Sequence, residues 1–167
     1  VAAGERFLKA ISPFVWRSSL DFGAIEEIRR LTARIRSNHK GPREVGPGYN
    51  LKHGRGGIRE VEFYAQTHQL IHGGRDPSLR LRGTRAALDA LAAAGRIAAD
   101  EALMLGEAYD RLRVVEHRLQ MIEDHQTHAL PAGARLDAVA RLDGLADGAA
   151  LVEELREITA RVAQAYN

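Results

Sequence analysis

Residues 50–62 read Asn-Leu-Lys-His-Gly-Arg-Gly-Gly-Ile-Arg-Glu-Val-Glu. Three cations, Lys52, Arg55 and Arg59, are interleaved with Gly54, Gly56 and Gly57, and Gly48 lies just before. A glycine-rich loop feeding a helix N-terminus presents backbone N–H groups at the positive end of the helix dipole. Cations beside such a loop have the chemistry to hold a phosphate or a nucleotide. The contacts would come from Lys52, Arg55 and Arg59 together with the N–H groups of Gly56, Gly57 and Ile58. The spacing is not that of a P-loop, whose lysine follows its glycines. It is not a dinucleotide fingerprint either, because no βαβ pattern surrounds it. A structural reading stands beside the functional one: a glycine-rich connection that lets two helices cross closely, with its arginines in solvent.

The remaining candidates are weaker. Glu60 and Glu62 are two positions apart, so on a helix they face different ways and cannot chelate one ion. The dipole alone accounts for Glu60 in a first turn. Glu62, between Val61 and Phe63, is expected to turn inward, pairing with an arginine or supporting a neighbouring site. His68 and His72 have the i, i+4 spacing of a shared metal site. No third ligand is close in sequence, so helix-surface histidines are the better expectation. Glu116-His117-Arg118 and the run from Asp124 to His128 form polar patches expected to make interhelical hydrogen bonds or face solvent. No Ser-His-Asp order or nucleophile elbow is present. No catalytic residue and no metal ligand is assigned within the chain.

The elements that must position the loop read as helices throughout. The fold class is all-α, a helical bundle built around one long central helix. A first helix spans 5–18, broken or restarted at Pro13, with Phe7, Leu8, Ile11, Phe14, Val15 and Trp16 as buried candidates. Asp21 is the expected cap of a second helix over 23–39. There Ile25, Ile28, Leu31, Thr32 and Ile35 line one face, and Arg29, Arg30, Arg34 and Arg36 mostly the other. Residues 41–57 form a long non-helical stretch, a length that is usually functional or disordered. A helix over 58–72 follows, ended by Gly73 and Gly74. After the Asp76-Pro77 turn, Thr84 is expected to cap a short helix to Ala94. The longest helix covers 98–123, with Leu103, Leu105, Tyr109, Leu112, Val115, Leu119 and Ile122 at helical spacing. Pro131 and Gly133 close its exit, and helices over 134–142 and 149–166 finish the chain. One helical domain over 1–167 is expected: N-terminal helices 1–40, the loop 41–57, core helices 58–131 and C-terminal helices 132–167.

The 167 residues suffice for one domain with its own core. Lys and Arg total 24 against 22 Asp and Glu, a balance that gives no ground for nucleic-acid or anionic-membrane binding. There is no cysteine, which excludes disulfides, thiolate zinc sites and thiol nucleophiles. No apolar run approaches the ~20 residues that span a bilayer, and no signal-peptide pattern opens the chain. The abrupt start at Val1, in helical sequence and without a methionine, reads as a piece excised from a larger protein.

NLKHGRGGIREVEFYAQTHQLIHGGRDPSLR, followed by AYDRLRVVEHRLQMIEDHQTHALP, closely resembles the glutamine synthetase adenylyltransferase family. This two-headed enzyme attaches AMP to, and removes it from, a tyrosine of glutamine synthetase. The upstream SPFVWRSSLDFGAIEEIRRLTARIR also fits, as the helix pair after that family's nucleotidyltransferase domain. The match covers about Phe7 to Pro131. A looser form of the loop occurs in the related uridylyltransferase that modifies the PII signalling protein. The resemblance implies a helical domain that completes a nucleotidyltransferase site, with the RGGIRE form pointing to the N-terminal, deadenylylating half. It implies ATP or ADP and Mg2+ as cofactors of the whole enzyme. The implied partners are glutamine synthetase, PII and an upstream nucleotidyltransferase domain, in a cytoplasmic setting without nucleic acid or membrane. The family's catalytic GS and Asp-x-Asp pattern is absent here, so the segment alone is expected to be inactive. Lys52, Arg55, Gly56, Gly57 and Arg59 are then expected near the nucleotide or phosphate, supported by Glu62. The alternative is a non-catalytic helical module that relays PII or glutamine signals.

Overall fold

The computed structural model describes residues 2–18, 22–38 and 41–166. Among the described residues seven α-helices succeed one another: α1 (Ala2–Val15), α2 (Phe22–Asn38), α3 (Ile58–His72), α4 (Thr84–Ala93), α5 (Ala99–Glu123), α6 (Ala134–Leu142) and α7 (Gly148–Ala165). A 3-10 turn, Pro77–Leu79, precedes α4. No named strand occurs among the described residues, and the all-α expectation holds. The expected cap Asp21 lies outside the described residues, as do His39, Lys40 and the side chains of Ile25, Arg29, Thr32, Ile35 and Arg36.

The 25-residue α5 is about 37 Å long and packs against α3, α4, α6 and α7. Its apolar positions feed two adjoining cores. Leu112, Val115 and Leu119 meet Leu136, Val139, Leu151 and Leu155 from α6 and α7. Ala102, Leu105 and Ala108 meet Val61 and Ala65 of α3, Ala87 and Leu88 of α4, and Val162 of α7. Each fully buried leucine contributes roughly 1.5–3 kcal/mol, far more than helix propensity supplies per residue. Leu103, expected inside, faces solvent on the opposite side of α5.

Caps explain the helix ends. Asp147 opens α7, its carboxylate accepting the Ala150 N–H at 2.9 Å. Gly83, rather than the expected Thr84, is the N-cap of α4, and Thr84 is its first helical residue. Asp124 ends α5 in the left-handed region at φ 51°. Pro13 does not break α1 but sits in its last turn, two residues before the helix ends at Val15.

α1 and α2 share no extended interface with α3–α7 among the described residues. Phe7 is 63% and Phe14 72% exposed, contrary to their expected burial. The residues just after α1 are tied down. The Arg80 guanidinium lies 5.4 Å from the centre of the Trp16 ring, and Arg75 Nε donates to the Ser18 carbonyl at 2.8 Å.

Candidate functional site

The loop before α3 is part of the core. Tyr49 and Leu51 are fully buried, packed with Ile58 and Leu130 among the α5–α7 leucines. The Tyr49 hydroxyl donates to the Arg55 carbonyl at 2.5 Å. Burial pushes the Tyr49 phenol well up, and the charge of Glu60 adds to the shift while a hydrogen bond with Thr159 opposes it, so the hydroxyl stays a donor. Asn50 Oδ1 accepts from the Lys52 and His53 amides at 3.0 and 2.8 Å, the Asx turn that starts the loop.

Two glycines are dictated by close approach. Gly56 has φ +77°, and a Cβ there would lie 1.9 Å from the Thr159 carbonyl oxygen of α7. A Cβ on Gly57 would meet the Leu51 carbonyl oxygen at 2.5 Å. Their amides are already spent. Gly56 N–H donates to Glu60 Oε2 at 2.9 Å; Gly57, Ile58 and Arg59 donate to the carbonyls of Gly54, Leu51 and Lys52 at 2.9, 2.9 and 3.0 Å. The expectation that the N–H groups of Gly56, Gly57 and Ile58 cradle an anion is therefore corrected: in this fold they close the loop onto itself. Glu62 pairs with an arginine as expected, while Glu60 is the more deeply buried of the two. Glu60 is buried and caps the loop, whereas Glu62 is partly exposed and pairs with Arg59 at 3.4 Å.

The cations remain. The Arg59 N–H to Lys52 carbonyl bond sets these two residues on adjacent backbone, with Arg55 on the turn between them. Lys52 is half-buried and Arg55 exposed. Among the described residues neither side chain has an ion-pair partner. Arg59 is engaged by Glu62 and stacks 5.4 Å from the Phe63 ring centre.

A second segment holds the loop from below. Gly48 and Leu51 N–H donate to the Leu130 and His128 carbonyls at 2.7 and 2.8 Å, and Leu130 N–H donates to Tyr49 at 2.9 Å. This forms an isolated antiparallel bridge between Asn50 and Ala129. Beneath it the Glu116 carboxylate, 2% exposed, pairs with His128 Nδ1 at 2.7 Å and with Arg113. The His53 ring meets His128 edge-on at 6.2 Å. Composition could not reveal this pairing, because the expected polar patches gave no partner for Glu116. Tyr49, the one aromatic inside the glycine stretch, was the readable signal for a buried loop.

His68 and His72 stack at 6.1 Å along α3, with the Tyr64 ring tilted onto His68 at 4.7 Å, and no group of three or more His, Asp or Glu side chains among the described residues is placed to hold a metal ion. Burial, then the charge of His72, lowers the His68 pKa. Burial, then Arg96, lowers that of His72.

Comparisons with known proteins place the chain in a family. Residues 27–167 match the family model described as GlnD PII-uridylyltransferase. Bifunctional glutamine synthetase adenylyltransferase/adenylyl-removing enzymes are similar over much of the chain. That of Agrobacterium fabrum is 47% identical over 100% of this chain and 17% of its own length. That of Rhizobium meliloti is 49% identical over 98% of the chain and 17% of its length. The Caulobacter vibrioides protein is 51% identical over 78% of the chain and 13% of its length. The chain thus spans about one sixth of the relatives it matches. With the family model covering all but the first 26 residues, the chain belongs to the GlnD PII-uridylyltransferase family.

Proposed function

We propose that this chain is the helical domain of a bifunctional glutamine synthetase adenylyltransferase/adenylyl-removing enzyme, completing a nucleotidyltransferase site. In that role it serves the addition of AMP to a glutamine synthetase tyrosine, or its phosphorolytic removal. The observation that carries the reading is the loop itself. Lys52 and Arg55 are presented, without ion-pair partners among the described residues, from a turn bolted into the core. Arg59 beside them is held by Glu62 and Phe63. Fixed cations of this kind offset phosphoryl charge as it shifts in the transition state, and a preorganised loop loses little entropy in doing so. Gly56 and Gly57 serve the same site by allowing the loop to seat on α7. ATP or ADP and Mg2+ belong to the whole enzyme. The described residues here do not fit a magnesium site, so no metal step is assigned to this chain. The remaining proposed partners are PII and an upstream nucleotidyltransferase domain, in the cytoplasm. The RGGIRE form of the loop favours the deadenylylating half.

The test is charge-neutralising substitution, Lys52→Ala with Arg55→Ala, in the full-length enzyme. The reading expects kcat/KM to fall by at least about tenfold, the weight of one or two charge-assisted contacts. Unchanged kcat/KM with an intact fold would sink it. One observation favours the second reading, a helical module relaying PII or glutamine signals: the apolar face of α1, with Phe7, Leu8 and Phe14, lies open. That reading expects the double variant to be fully active and substitutions at Phe7 and Phe14 to uncouple regulation.

A further inference from the structure

Glu116 is a carboxylate on the inward side of α5, yet it touches none of the cations of the loop. Its Oε1 lies 2.7 Å from His128 Nδ1 as an ion-pair contact, and both atoms are shut from solvent with no hydrogen bond among the described residues. Its Oε2 accepts from the Arg113 guanidinium, which also reaches His117 Nε2 at 3.5 Å. A buried charge is costly unless paired, and an apolar residue in its place often serves stability as well. What such a pair supplies instead is a fixed geometry.

That geometry runs to the loop. The His128 carbonyl accepts the N–H of Leu51, the residue just before Lys52. Around it the Gly48–Leu130 and Leu130–Tyr49 bonds close the bridge, and the His53 ring abuts His128 from above. The rest of the segment is held less firmly: Gln120 Nε2 reaches the Thr127 carbonyl at 3.3 Å. Side chain and backbone of His128 therefore connect the rigid α5 to the turn that carries Lys52 and Arg55.

We propose that Glu116 is a positioning residue: by fixing His128 it sets the height and register of the 50–53 turn, and so where Lys52 and Arg55 point. The purpose of this positioning rests on the anion-contacting reading of the loop; the mechanical link does not. Supporting groups act as ligand holders do elsewhere, where a carboxylate on one imidazole nitrogen fixes the ring.

The test is Glu116→Gln, which keeps the shape but presents an amide donor to one of two donors. Hydrogen exchange of individual amides, the imidazole nitrogen resonances of His128 and a pyrophosphate titration are followed together. The expected result is Leu51 and Leu130 amides exchanging about tenfold faster, with α3 and α4 amides unchanged and the His128 Nδ1 resonance shifted. Pyrophosphate affinity should fall about tenfold, with no further loss when Glu116→Gln is added to Lys52→Ala/Arg55→Ala. Unchanged Leu51 and Leu130 exchange and an unmoved His128 resonance in the folded variant would overturn the proposal. If Glu116→Gln does not fold, His128→Gln removes the other partner, and a still-protected Leu51 amide there overturns it equally. If the unsubstituted chain binds no pyrophosphate, the anion reading falls, while the exchange result still decides the role of Glu116.

Discussion

Replacing Gly56 by alanine tests whether the loop is built into the bundle. The new Cβ would stand 1.9 Å from the Thr159 carbonyl oxygen, against an ordinary contact of at least 3.4 Å. The loop would have to retreat from α7 by about 1.5 Å. The residue would also keep a φ of +77°, which costs an L-residue roughly 1–2 kcal/mol. Retreat strains the Gly56 N–H to Glu60 bond, and a buried polar group left unpaired costs about 1–3 kcal/mol. The total is a loss of about 2–5 kcal/mol, a large part of the 5–15 kcal/mol typical of a domain. Urea denaturation followed by far-UV circular dichroism measures it. Gly46→Ala is the internal control, since its Cβ meets nothing within 4 Å and needs no positive φ. It should change stability by less than about 1 kcal/mol. A Gly56→Ala variant within about 0.5 kcal/mol of the unsubstituted chain would refute the reasoning.

Other consequences are separately measurable. Asp147→Ala removes the side-chain cap of α7 and should cost about 1 kcal/mol in denaturant. Arg111 joins α5 to Glu154 at 2.5 Å and to Asp143 of the α6–α7 turn. Arg111→Ala leaves two carboxylates without it and should cost about 1–3 kcal/mol, less than a fully buried pair because the site is partly open to water. His68 and His72 are both lowered from the usual histidine value, so the unfolded chain takes up protons first as pH falls. Their contribution is complete above about 6.5 and is lost on acidification through that value toward the lower folded ones. Tm should therefore decline over that window, and His68→Gln should flatten the decline; a slope of the same size in the variant contradicts the assignment.

The helices were legible because hydrophobic spacing and turn residues act locally. The 3–4 repeat of Leu105, Leu112, Val115 and Leu119 marked α5, and the Gly73-Gly74 pair marked the end of α3. Thr84 misled as a cap because Gly83, without a side chain, took that position. Phe7 and Phe14 were read as buried from residue type alone, but burial needs a partner surface, and among the described residues none covers these two rings. The glycines were noticed for the right reason, backbone freedom, yet were given the wrong use. Sequence cannot say whether an amide will find a ligand or a neighbouring carbonyl. The partners that decided it, Glu60 for the Gly56 amide and the carbonyls of Gly54, Leu51 and Lys52 for the next three, lie within seven positions, whereas the Thr159 carbonyl that excludes a side chain at Gly56 is 103 positions away. Glu60 and Glu62 were separable only by which side of α3 met the loop.

The central claim is that the loop cations contact a phosphoryl group. Isothermal calorimetry of the chain with ADP and pyrophosphate, beside the Lys52→Ala/Arg55→Ala variant, tests it most directly. Saturable binding that the double substitution abolishes is the expected result. Equal binding by the variant, or no saturable binding by the unsubstituted chain, contradicts it.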